Sequence, residues 1–256
     1  MRKSIFTLAV CALAATVATS ARAADVLWYT GHSGYDEGNA QVVAHLTGQG
    51  AVVDVVVAGA LPVLTGSDYT LAFIVMPGFF NGADFFGPAE KADLNSWLLD
   101  AAHRVVMVGD WDQFYAGQAV MADLLAAIGN PIVFQPGAYD SGCGHCAGPL
   151  GDPDPITDGL GHVCYGLTPT WDPAFGTPLA YPEDGSAPGP WLVSNGTNVP
   201  CIIGIGDQNA ITDPCNYLIT DADMQEFVTR LYTITCAGDP VPVWESSWGK
   251  VKVTYR

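Results

Sequence analysis

The sequence predicts a three-layer α/β sandwich built on a mainly parallel sheet. Three observations carry this. Short apolar runs alternate with amphipathic helical segments through the first half of the chain. Those runs are apolar at successive positions, as befits strands covered on both faces rather than one. Turn residues close several of them, with Pro77-Gly78 and Gly109-Asp110 the clearest.

Taken in order, residues 26–29 (VLWY) form the first strand and run into Thr30-Gly31-His32-Ser33-Gly34. A helix is expected from about Asp36, with Val42, Val43 and Leu46 on one face and Gly48 and Gly50 ending it. Residues 52–57 and 69–76 are the next two strands. Pro88 opens a second helix in which Leu94, Trp97, Leu98 and Ala101 recur at helical spacing. Residues 105–108 make a fourth strand, and Met121, Leu124, Leu125 and Ile128 a third helix that Gly129 terminates. Ile132-Val133-Phe134 reads as a fifth strand. Residues 137–200 are rich in Gly, Pro and Asp and read as an irregular insertion with one or two hairpins. Regular structure resumes at residues 201–205. The last helix is expected to start at a capping box from Thr220 to Asp223, with Met224, Phe227, Val228 and Leu231 on one face. The expected domain is thus one unit, 24–236.

Both ends read differently. Residues 1–23 have a basic start, an apolar stretch and Ala21-Arg22-Ala23, the pattern of a secretory signal peptide. Residues 237–256 are a Pro-rich linker and a basic, aromatic tail with Trp244, Trp248 and Tyr255. That tail reads either as a loosely docked edge strand or as a terminal recognition segment. The whole chain carries 9 Lys and Arg against 26 Asp and Glu, a net charge of −17. Removing Arg2, Lys3 and Arg22 with the leader takes −17 to −20. Such a surface repels phosphate backbones, which excludes nucleic acid as a partner. No apolar run after the leader is long enough to span a membrane. The expected location is periplasmic or extracellular. Six cysteines remain after the leader: Cys143, Cys146, Cys164, Cys201, Cys215 and Cys236. In an exported chain they are expected to be oxidised, with Cys201 and Cys215 a plausible pair by proximity.

Several segments in order resemble the class I glutamine-amidotransferase-like superfamily, whose fold is flavodoxin-like. Residues 105–109 followed by the helix over 121–129 are similar to its strand, nucleophile elbow and next helix. Met76-Pro77-Gly78 is similar to the turn after its third strand. Asp154-Pro155-Ile156-Thr157-Asp158-Gly159 resembles a His-Pro-Ile-Thr-x-Gly segment of non-catalytic members. Residues 203–207, Asn216 and the last helix resemble the end of those same members. An active amidotransferase needs a thiolate at the elbow. Here the elbow reads Gly109-Asp110-Trp111-Asp112-Gln113, with Trp111 nearest the nucleophile position. Gly206-Asp207-Gln208-Asn209 stands where the resemblance expects His and Glu. Glutaminase activity is therefore expected to be absent.

In open α/β sheets ligands bind beyond the carboxyl ends of the strands. That rule collects His32, Ser33, Gly78, Asp110, Trp111, Asp112, Asp207 and Asn209 as a candidate ligand cleft. Its carboxylates could hold a divalent cation such as calcium, or grip the hydroxyls of a small polar ligand beside Trp111. They could equally cap turns and helices. The first functional expectation is an exported, non-catalytic binding or scaffold domain. A second is a carbohydrate-acting hydrolase using Asp110 or Asp112 with Asp207. The third is a thiol–disulfide oxidoreductase, because Cys143-Gly144-His145-Cys146 matches the redox tetrapeptide of disulfide isomerases. That segment lacks the helical pattern such a motif needs, and reads equally as structural cysteines in a Gly-rich loop. A zinc site from Cys143, His145 and Cys146 would lack a second ligand pair.

Overall fold

The computed structural model describes residues 24–32, 38–75, 85–110, 115–130, 132–140, 142–148, 150, 154–183, 185–195 and 200–234. The expected leader and the C-terminal tail lie outside these residues. So do Ser33, Gly78, Trp111, Asp112 and Cys236.

The chain is a mixed α/β sandwich around a seven-stranded sheet. Its strands are β1 (Val26–Tyr29), β2 (Val53–Val56), β3 (Leu71–Val75), β4 (Arg104–Val108), β9 (Thr177–Ala180), β10 (Leu192–Ser194) and β11 (Cys201–Ile205). They are ordered β2-β1-β3-β4-β11-β10-β9. The first five in that order are parallel, and β10 and β9 extend the sheet antiparallel. The double-sided apolar runs have the expected outcome. Val26, Trp28, Phe73, Val106, Val108, Ile203 and Ile205 join one core, while Leu27, Tyr29, Ala72, Ile74, Val105, Met107 and Ile202 join the other.

Helices α1 (Ala40–Gly48) and α5 (Ala222–Thr233), with the short α4 (Tyr217–Thr220) between them in sequence, cover the first face. Helices α2 (Pro88–Trp97) and α3 (Tyr115–Ala127) cover the second. Met224, Phe227, Val228 and Leu231 of α5 are all fully buried, as their spacing predicts. Each such side chain contributes about 1.5–3 kcal/mol by leaving water.

Three expectations need correcting. The fifth run forms β5 (Phe134–Tyr139), which pairs antiparallel with β8 (Thr168–Trp171) outside the main sheet. Short apolar runs do not say which strand they will pair with, and here β11 takes the place beside β4. The cap of α5 is Asp221, not Thr220: the Asp221 carboxylate accepts the Met224 amide at 2.9 Å, whereas Thr220 bonds back to the Asn216 carbonyl. The 137–200 segment is more regular than expected. It contributes β9 and β10 to the main sheet, and β6 (His145–Ala147) and β7 (Val163–Tyr165) as a separate antiparallel pair. Its Trp171 and Trp191, both fully buried, pack into opposite cores, so the segment wraps the sheet's edge.

Candidate functional site

Strands β4 and β11 end together. The Gly109 amide donates to the Ile205 carbonyl at 2.8 Å, which carries the parallel register past both strands and sets Asp110 beside Asp207. Gly206 is dictated here by close approach, because a Cβ would lie 2.5 Å from the Pro169 carbonyl oxygen. Both carboxylates are buried, Asp110 at 4% exposure and Asp207 at 0%. Asp207 caps a 3₁₀ turn over Gln208–Ala210 by accepting the Asn209 amide at 3.0 Å, and also accepts the Gly166 amide. Asp110 accepts Nε2 of Gln208 at 3.0 Å. This leaves Gln208 Oε1 and Asn209 Oδ1 buried without a hydrogen-bond donor. An amide oxygen in that state costs about 1–3 kcal/mol, so it is a feature to be explained.

The β6–β7 pair roofs this end of the sheet. The Tyr217 hydroxyl donates to the Tyr165 carbonyl at 2.5 Å and accepts the Gly144 amide at 2.7 Å. Burial, and then the charge of Asp207, raise the Tyr217 pKa, so the phenol stays protonated as the donor. Tyr165 donates to Asp140, which also accepts the Glu183 amide at 3.0 Å. Burial first and the Asp140 carboxylate second push the Tyr165 pKa up. Asp140 holds the left-handed backbone, φ 57°, that such a turn requires.

His32 is elsewhere. Its Nε2 lies 2.8 Å from Glu90 Oε1, and its ring packs 4.4 Å from Phe86, on the α2 side of the sheet. Strand β3 stands between β1, which leads into His32, and β4, which leads into Asp110. The structure therefore joins Asp110, Asp207 and Asn209 into one cluster and leaves His32 out. Among the described residues, no three carboxylate, His or Cys ligand atoms converge at the strand ends.

The cysteine expectation is corrected in its pairing. Cys215 bonds Cys143, not Cys201, across 72 residues, and Cys146 bonds Cys164 across 18. Cys201 is also disulfide-bonded. The two cysteines of the Cys-Gly-His-Cys segment thus belong to different bridges, and His145 lies 3.1 Å from Glu183.

Comparison with known proteins bears on the fold. No family model matches the sequence, and no curated protein does. Among solved structures, the mmIFT52 N-terminal domain aligns at a TM-score of 0.59 with 10% identity, over 81% of this chain and 95% of that one. The exo-β-1,4-mannosidase Op5Man5 from Opitutaceae bacterium strain TAV5 aligns at 0.50 with 11% identity, over 83% of this chain but 36% of the enzyme. A ThuA-like protein from Bacteroides uniformis aligns at 0.42 with 12% identity, over 85% and 94%. The first two are likenesses of fold and carry no activity across.

Sequence reasoning missed Gln208, Tyr165, Tyr217 and the carboxylates Asp140 and Glu183. Gln208 was within reach, since it adjoins the Asp207 turn. The others meet through long-range hydrogen bonds, Tyr165 with Asp140 and Glu183 and Tyr217 with Tyr165, that no local pattern reveals.

Proposed function

We propose that the chain is an exported, catalytically silent binding module of the amidotransferase-like kind, taking a small polyhydroxylated ligand at the ends of β4 and β11. One observation carries this reading: Gln208, fully buried and bonded to Asp110 through Nε2, keeps Oε1 without a donor, and Oδ1 of the next residue, Asn209, is likewise unserved. A ligand that donates hydroxyl hydrogens would satisfy both acceptors. Silence is supported by the elbow sequence, which has no thiol nucleophile, and by Asp207, whose oxygens serve backbone amides inside the protein. Export is supported by the disulfides and by the leader-like residues 1–23. Thermal-shift titration with a panel of monosaccharides, linear polyols and calcium chloride tests the proposal. At least one sugar or polyol should raise Tm in the parent protein and fail to do so in Gln208→Met. A panel without effect, or a ligand shift that survives Gln208→Met, would refute it.

A further inference from the structure

A second constellation lies away from the strand-end cluster, where β6 and β7 meet the start of α5. Cys146 and Cys164 are direct cross-strand partners in the β6–β7 register. His162 immediately precedes β7, two residues before Cys164. The ligand atoms of Cys146, His162 and Cys164 all lie within 4.8 Å of one another. Asp221 closes the group: its Oδ2 is 2.7 Å from His162 Nε2 and 3.9 Å from Cys164 Sγ. On the far side of the ring, Nδ1 faces Asp223 Oδ2 at 3.4 Å. Asp223 is itself fixed by the Gly161 and His162 amides at 2.9 and 3.2 Å.

We infer that Cys146, Cys164, His162 and Asp221 form a latent zinc-type site that opens when the Cys146–Cys164 disulfide is reduced. The donor set, two thiolates, one imidazole and one carboxylate, is that of a tetrahedral borderline-soft cation. With Zn–S near 2.3 Å and Zn–N near 2.0 Å, the ligand atoms of such a site stand about 3.5–3.8 Å apart. The present cluster reaches that spacing once the sulfur–sulfur bond is broken. Asp223 supplies the outer contact that metal-bound histidines need, holding the Nδ1 proton so that the Nε2 lone pair faces the ion. The chemistry balances with a dithiol reductant. Its thiolate attacks Sγ of Cys146, the less buried cysteine of the pair, and Cys164 leaves as a thiolate. The reductant's second thiol then displaces Cys146 and closes to a cyclic disulfide. Two electrons and two protons have passed to the protein. Metal binding releases both thiol protons to solvent. Oxidation and metal loading are therefore mutually exclusive states of one site.

Cobalt(II) titration of the full chain, oxidised and after reduction with a dithiol, tests this. Reduced protein with unchanged far-ultraviolet circular dichroism should bind one equivalent, with thiolate-to-cobalt charge-transfer absorption, while oxidised protein shows none. Cys146→Ser/Cys164→Ser should abolish that absorption. His162→Gln and Asp223→Asn leave every cysteine in place and should each weaken binding about 10–100-fold. The inference is overturned by reduced, folded protein that shows no thiolate band, or by equal binding in His162→Gln. Loss of the fold on reduction would overturn it as well, since the site needs β6, β7 and α5 in place.

Discussion

Arg104 shows how one side chain can hold two parts of the fold. At 1% exposure it begins β4, and its Nε donates to the Leu231 carbonyl at 2.8 Å while Nη2 donates to that of Tyr232. These carbonyls belong to the last turn of α5, where the helix dipole favours a cation. Burial lowers the guanidinium pKa to about 10, which still leaves it charged at neutral pH. Arg104→Met keeps the packing but strands two buried carbonyls, so denaturant unfolding should show a loss of about 1–3 kcal/mol. Glu90 makes a second residue-scale case. Burial pushes its pKa up, but the His32 hydrogen bond and the Gly87 and Leu61 amides outweigh that and hold it below 4.5. A carboxyl depressed in the folded state adds stability above its unfolded pKa and loses it as pH falls through the folded value. Glu90→Gln should therefore be less stable at neutral pH, with a flatter Tm profile as the pH falls below the ordinary carboxylate range. An unchanged acid limb would mean that the carboxylate is not what ties His32 to α2.

Among the elements, the helices illustrate what was legible and what was not. The faces of α2, α3 and α5 could be read directly, because a period of 3.6 is local and needs no knowledge of partners. The start of α1 could not: its first turn is served by Asp213, whose Oδ1 accepts the Gln41 amide at 2.9 Å from 172 residues away. The same limit applies to the site. Asp110, Asp207 and Asn209 were found from the strand-end rule, while the roof over them depends on long-range closure. The bridges differ accordingly. Cys143–Cys215 spans 72 residues and Cys146–Cys164 spans 18, so chain-entropy reasoning gives them about 4 and about 3 kcal/mol. Cys143→Ser/Cys215→Ser should then lower Tm more than Cys146→Ser/Cys164→Ser. The reverse order would show that the small hairpin's bridge, not the long loop's, holds the roof in place.

For the molecule as a whole, pattern and composition gave the architecture class but not the strand order. Runs apolar on both faces specify a covered parallel sheet, yet they are nearly interchangeable by composition. Assigning β11 rather than β5 to the place beside β4 depends on how 137–200 wraps the edge, and Gly, Pro and Asp content alone does not reveal that. Among the described residues no helix is long and apolar enough to cross a membrane. The sheet's outer strands are also guarded. Edge strand β9 carries Pro178, which has no amide hydrogen to offer a neighbouring chain, and edge strand β2 is four residues long and carries Asp54.

The central place of β11 has a kinetic consequence. Its partner β4 ends at Val108, whereas β11 does not begin until Cys201, so nearly half the domain must emerge before the middle of the sheet can close. Until then β4 is an open edge that is apolar from Val105 to Val108, with a charge only at its first residue, Arg104. Folding on this topology is a race between docking of the last strand and pairing of β4 with a neighbouring chain. The Cys143–Cys215 bridge bears on that race, because once closed it shortens the path from β4 to β11.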